Sequence, residues 1–125
     1  RGATHDSRRA LRYPTRLRGE VAIRSVESSV PAFILDVGSR GAQIELANDV
    51  VVDRDGTLRL RLIPDRSGPV SLAALTGHVA WQSPRGRLLG VKLELTTPEE
   101  RSYWTKVVVA ARDHIDPWGA HTVAR

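Results

Sequence analysis

The sequence predicts an all-β domain finished by one C-terminal helix: a six-stranded antiparallel β-barrel preceded by an Arg-rich arm. Three observations carry this expectation. Short apolar runs alternate with polar residues at the two-residue period of strands that have one wet face. Turn-forming residues separate those runs at hairpin-length intervals, and no helical pattern intervenes before residue 97. A length of 125 residues suits one domain, enough to bury roughly two-thirds of the surface that the unfolded chain exposes without disulfide staples.

The elements follow in order. Residues 1–15 have little apolar content and end in Tyr13-Pro14 and Thr15; a residue before proline is pushed away from helix, so this stretch reads as an extended or turn-forming arm. From Arg16 the pattern is that of strands. Leu17, Val21 and Ile23 stand among polar neighbours, and Val30 to Val37 follows, with Phe33, Ile34 and Leu35 as a more deeply buried run. Gly38 to Gly41 is a turn. Ala42, Ile44 and Leu46 then alternate with Gln43, Glu45 and Ala47, and Leu58, Leu60 and Leu62 with Arg59, Arg61 and Ile63. Pro64 to Pro69, with Asp65, Ser67 and Gly68, separates that strand from Val70 to Trp81, and Ser83-Pro84-Arg85-Gly86 precedes Leu88 to Leu95. Six such strands with short connections predict an antiparallel barrel.

A helix is predicted over about 97–115. Thr97 caps it, Pro98 occupies the first turn, where its missing donor costs nothing, and Glu100 reaches back to the cap amide. Trp104, Val107, Val108, Ala111 and Ile115 recur at helical spacing, a stripe that belongs on the mouth or flank of the barrel. Barrel and helix together occupy residues 16–115. Asp116-Pro117 ends the helix, and residues 116–125 read as a tail. The chain opens on Arg1 rather than Met, which leaves a longer parent polypeptide open.

Charge is distributed unevenly. The formal net charge is +5. Residues 1–25 carry seven arginines against Asp6 and Glu20, and the remaining hundred residues carry twelve charges of each sign. An anionic partner that meets the front of the chain is the natural expectation. The excess is all Arg, whose planar fork pairs bidentately with phosphate or a guanine edge and stacks on rings. With 17 Arg to 2 Lys over the whole chain, however, the clustering says more than the choice of residue.

The sequence excludes many chemistries. Absence of cysteine removes disulfides, thiolate metal sites and cysteine nucleophiles. His5, His78, His114 and His121 form no pair at ligand spacing. Asp53 and Asp55 open like a calcium loop, but the bidentate Glu that would close one is missing. There is no nucleophile elbow and no Walker-type phosphate loop. No apolar run approaches a membrane span or the core of a signal peptide. The expectation is a non-enzymatic domain with no cofactor and no metal.

Two constellations remain. Arg8-Arg9-Ala10-Leu11-Arg12 places guanidinium forks four residues apart, with a third beside the first, suited to phosphate oxygens and to guanine O6 and N7; a solvated or nonspecifically binding tail is the alternative. Leu35-Asp36-Val37-Gly38-Ser39-Arg40-Gly41-Ala42 brings an Asp out of a buried strand into a tight turn. Its carboxylate can accept from guanine N1 and N2, and its turn amides can hold phosphate oxygens. An ordinary hairpin, with glycine supplying a positive φ, is the alternative here.

Together, an Arg-x-x-x-Arg arm and an Asp-x-x-x-x-Gly turn between two strands of a six-strand pattern resemble the PilZ domain family. Its paired signatures are Arg-x-x-x-Arg and Asp/Asn-x-Ser-x-x-Gly, and the ligand they imply is the bacterial second messenger cyclic di-GMP. Arg12-Tyr13-Pro14, Gly41-Ala42, Val79-Ala80-Trp81 and Leu89-Gly90-Val91-Lys92-Leu93 extend the resemblance over about residues 8–112. It implies that Arg8 and Arg12 engage the guanine bases and phosphates, with Arg9 assisting. Asp36 and the turn Gly38, Ser39, Arg40 and Gly41 would receive the ligand. One departure stands out: Gly38 occupies the position where the family usually has Ser, with Ser39 one place away. A lost hydrogen bond to a charged group is worth about 1.5–3 kcal/mol, roughly ten- to a hundredfold in affinity.

The resemblance therefore implies a bacterial, cytoplasmic receptor domain that relays cyclic di-GMP occupancy to a fused domain or a protein partner, with homodimerisation open. Two other readings compete. One is a related module that has lost the ligand and serves protein interaction, with Gly38 as the first sign. The other is a small basic barrel that binds nucleic acid, disfavoured because a surface aromatic platform for single strands is not evident.

Overall fold

A computed structural model describes residues 11–23, 29–50, 52, 56–63, 74–84 and 87–113. Six strands, β1 (Tyr13–Ile23), β2 (Val30–Gly38), β3 (Gly41–Leu46), β4 (Thr57–Ile63), β5 (Leu75–Gln82) and β6 (Leu88–Glu94), precede one helix, α1 (Pro98–Asp113). The strands close into a barrel in the order β1-β2-β3-β6-β5-β4, with β1 pairing to β4. Every neighbouring pair is antiparallel. Closure leaves no sheet edge to recruit another chain.

Alternation fills the interior. Val21, Ile23, Val30, Ala32, Ile34, Ala42, Ile44, Leu46, Leu58, Leu60, Leu62, Leu89, Val91 and Leu93 are all buried, and among the described residues no polar or charged side chain is. A small interior of aliphatic side chains needs no internal hydrogen bonds, because backbone donors and acceptors are used in the ladders.

α1 packs on β1 and β2 and turns Trp104, Val107, Ala110 and Ala111 inward. Its start is the reciprocal cap expected from Thr97-Pro98-Glu99-Glu100. Thr97 Oγ1 accepts from the Glu100 N–H at 3.0 Å, while Glu100 Oε1 accepts from the N–H groups of Thr97 at 3.0 Å and Thr96 at 2.9 Å.

The described structure departs from the sequence reading at three places. β1 begins at Tyr13 rather than after Thr15, so the end of the predicted arm is already strand. Proline's preference for an extended predecessor is as compatible with a strand as with a loop, and a register shift between Pro14 and Leu17 accommodates the missing donor. In β2, Ile34 is fully buried, but Phe33 is 38% exposed and Leu35 half-buried. Consecutive strand residues point to opposite faces, so three adjacent apolar residues cannot share the core; Phe33 is instead covered by the Arg16 guanidinium, 5.0 Å from its ring centre. The helix spans Pro98–Asp113 with Val108 only partly buried. Ile115, the tail, and the start of the predicted strand at Val70 lie outside the described residues.

Backbone hydrogen bonds from Thr97 and Thr96 lower the Glu100 carboxyl below its ordinary value of 4.5. A carboxylate lowered in the folded state stabilises it above the unfolded pKa, and that contribution disappears as pH falls through the folded pKa. Glu100→Gln keeps an acceptor and removes the charge. It is expected to lower Tm at neutral pH, and the gap to wild type should close on acidification below 4.5; a gap unchanged across that range would remove the charged cap from the account.

Candidate functional site

The site is built on the outside of the barrel, along one row of the hydrogen-bonded ladder. Pro14 stands opposite Asp36, Asp36 opposite Gln43, Gln43 opposite Gly90 and Gly90 opposite Trp81. Two members of this row reach the outer face because the register shifts just before them. In β2, Val30, Ala32 and Ile34 point inward, and strict alternation would send Asp36 inward after them. An additional residue between Ile34 and Asp36, relative to β3, reverses the parity, so Val37 enters the core and Asp36 faces out. β5 repeats the device. Leu75, Gly77 and Val79 face inward, the register shifts between Val79 and Trp81, and the indole emerges 44% exposed. Such shifts re-aim side chains at functional surfaces.

Beside the row lies a pocket of about 280 Å³. Arg12 and the turn Gly38–Gly41 form one side, Ala80 and Trp81 the other, and Gly90, Val91 and Lys92 run between them. Three cationic residues, Arg12, Arg40 and Lys92, thus share a pocket with an exposed indole, and among the described residues no acidic one lines it. Asp36 is joined to the site through Arg12, whose Nη2 lies 2.9 Å from Asp36 Oδ1. The contact is an ion pair without hydrogen-bond alignment, and that carboxylate oxygen is shielded from water.

The turn is held from both sides. Arg40 C=O accepts from the Leu93 N–H at 2.7 Å, tying the turn to β6. Gly38 C=O accepts from Trp104 Nε1–H, also at 2.7 Å, tying it to α1. Neither Gly38 nor Gly41 has a left-handed φ, so the hairpin does not need glycine for backbone conformation. Close approach is the reason at Gly41, where a Cβ would lie 2.6 Å from the Val91 carbonyl oxygen. At Gly38 a Cβ would meet Leu11 O at 3.0 Å and Arg12 Cδ at 3.3 Å, so the root of the arm fills the space that a side chain would take.

Of the residues proposed from sequence, Arg12, Gly38, Ser39, Arg40 and Gly41 line one pocket, and Asp36 adjoins it. Arg8 and Arg9 lie outside the described residues. Trp81, Gly90 and Lys92 were not singled out as site residues by the sequence reading. Their signal was a pairing rather than a motif: a glycine within a strand, opposite a tryptophan, leaves a flat surface on which an indole can lie.

Among the described residues, no three or more His, Asp or Glu side chains are gathered as a metal would require. No described helix is long and apolar enough to cross a membrane.

Comparison with known proteins gives a consistent picture. The PilZ domain family matches the chain over residues 6–107. A crystal structure of the PilZ domain of CeSA from a cellulose-synthesizing bacterium superimposes with a TM-score of 0.65 at 13% identity, covering 82% of this chain and 99% of that one. At that identity the likeness concerns the fold. No curated protein matches the chain significantly.

The platform under Trp81 is directly testable. A Cβ on Gly90 would collide with Nε1, Cδ1 and Cε2 of the indole. Gly90→Ala should therefore lift the ring from the sheet and change the Trp81 emission measured against Trp81→Phe. Unchanged emission would rule out the close stacking.

Proposed function

The chain belongs to the PilZ domain family, a family of cyclic di-GMP receptor domains, and from that premise we propose that it is a non-enzymatic receptor for cyclic di-GMP that relays occupancy to a fused domain or a protein partner. The observation that carries this reading is the pocket that Arg12, Arg40 and Lys92 line together with the Trp81 indole. A cyclic dinucleotide offers two phosphates and two flat, hydrogen-bonding bases, and these side chains supply both kinds of complement. Guanidinium forks pair with phosphate oxygens and base edges, an indole takes a base on its face, and Asp36 can accept from guanine N1 and N2.

Volume argues for a composite site. Ligand pockets usually measure about 300–1,000 Å³, and at about 280 Å³ this one takes part of a dinucleotide. The rest of the ligand is left to the arm, where Arg8 and Arg12 engage bases and phosphates and Arg9 assists. Folding an arm over a ligand uses some binding energy and supplies a surface change that a partner can sense.

Titration calorimetry with cyclic di-GMP, beside GTP and a short oligonucleotide, tests the proposal. Heat is expected with the cyclic dinucleotide. Arg8→Ala and Arg12→Ala should each weaken binding about ten- to a hundredfold, the worth of one charge-assisted contact, whereas Arg85→Ala should leave it unchanged. Equal effects of all three would mean generic charge attraction, and silence with the cyclic dinucleotide would leave the protein-interaction module as the better reading.

Gly38→Ser restores the hydroxyl found in the family signature. Tighter binding is expected, by less than the full ten- to hundredfold worth of such a bond, because the new Cβ presses on Leu11 and Arg12. Unchanged affinity would show that the hydroxyl is not what the site lacks.

A further inference from the structure

Gly38 is the point where three parts of the molecule meet. Its carbonyl takes the Trp104 indole N–H at 2.7 Å. The space beside its Cα is filled by Leu11 and Arg12, from the root of the arm. Its backbone opens the turn that lines the pocket. The far end of that turn is fixed to the barrel through Leu93 N–H and Arg40 C=O, so one anchor is sheet and the other is helix.

Trp104 is suited to more than filling space. It is 1% exposed and packed in the same core as Val107 and Ala111, which restricts its ring. Any shift of α1 along or about its axis must therefore shift the indole donor or break its bond to Gly38. A buried indole N–H that loses its acceptor is costly to leave unpaired, so the turn should follow the helix rather than release it.

We infer that Trp104 is the positioning residue that couples the ligand turn to α1, so that occupancy of the pocket and the docking of α1 control one another through the Trp104–Gly38 hydrogen bond. This rests on the cyclic di-GMP reading for its ligand half only. Coupling of this kind is reciprocal: a partner that grips α1 changes ligand affinity by the same factor as ligand changes the partner's grip. The arm joins the same node, because Leu11 and Arg12 lie against Gly38 on its other side.

The test uses the whole chain and two variants. Trp104→Phe keeps most of the buried volume and removes the donor. Leu60→Val trims the barrel interior on β4, away from the turn, and serves as the control for simple loss of stability. In the ligand-free protein, Trp104→Phe should accelerate amide hydrogen exchange at residues 39–42 about tenfold beyond the rest of the barrel, whereas Leu60→Val should raise exchange evenly. In the presence of cyclic di-GMP, the Trp104 indole N–H resonance of the wild type should shift on binding. Trp104→Phe should bind about tenfold more weakly, with Leu60→Val unchanged.

Even acceleration over the barrel in Trp104→Phe would overturn the coupling, as would wild-type affinity in that variant. If Trp104→Phe does not fold, the wild type carries the test: an indole resonance unmoved by bound ligand overturns the inference, and a shifted one upholds it. If the wild type gives no binding, the receptor reading falls by itself and the ligand-free exchange pattern still decides whether Trp104 holds the turn.

Discussion

Parity is the constraint on which the site depends. In a closed barrel each strand has one inward and one outward set of residues, and a side chain can change sides only if the ladder gains or loses a residue. The shift before Asp36 and the shift before Trp81 are two such changes on strands separated in the sheet by β3 and β6. Each puts a large or charged side chain outside while returning the next apolar residues, or the preceding ones, to the interior. Without the first, a carboxylate would point into an apolar core, at a desolvation cost that nothing there would offset. Without the second, the barrel would have to enclose an indole beside Leu89 and Val91.

The rest of the molecule can be simple because these shifts localise the irregularity. The interior is held by apolar burial and ladder hydrogen bonds. Exposed ion pairs such as Arg61 with Glu20 and Arg87 with Asp49 add little to stability in water. α1 contributes differently: it covers one flank of the barrel with Trp104 and Val107, and the single polar atom of that large indole is used on the site turn. Packing and site geometry are therefore not independent at this flank.

The sequence disclosed what is local. Leu58, Leu60 and Leu62 alternate over six residues, and Thr97 to Glu100 carry a reciprocal cap within one helical turn, so neither needed tertiary information. The arm-and-turn spacing singles out Arg12, Gly38, Ser39, Arg40 and Gly41, which the fold brings to one pocket. What escaped was decided between strands. Phe33-Ile34-Leu35 is uniformly apolar and does not reveal which residue faces in, and the parity change at Leu35 exists only relative to the neighbouring strands. Trp81 and Lys92 join the pocket through register with Gly90 and Gly41, a relation between segments that no single segment displays. Pro14 does not mark the boundary from sequence because its chemistry fits a loop and a strand start equally well.

The Arg12–Asp36 contact bears on which anions the site would accept. Asp36 Oδ1 is shielded from solvent and approached by a guanidinium that is not aligned to hydrogen-bond it. A simple anion that drew Arg12 to itself would strip this carboxylate of its counter-charge and leave the shielded oxygen without a donor. A ligand bringing both an anionic group and an N–H donor would exchange partners with the pair, taking the arginine and repaying the acid. Selection would then rest on a penalty for incomplete exchange rather than on attraction alone.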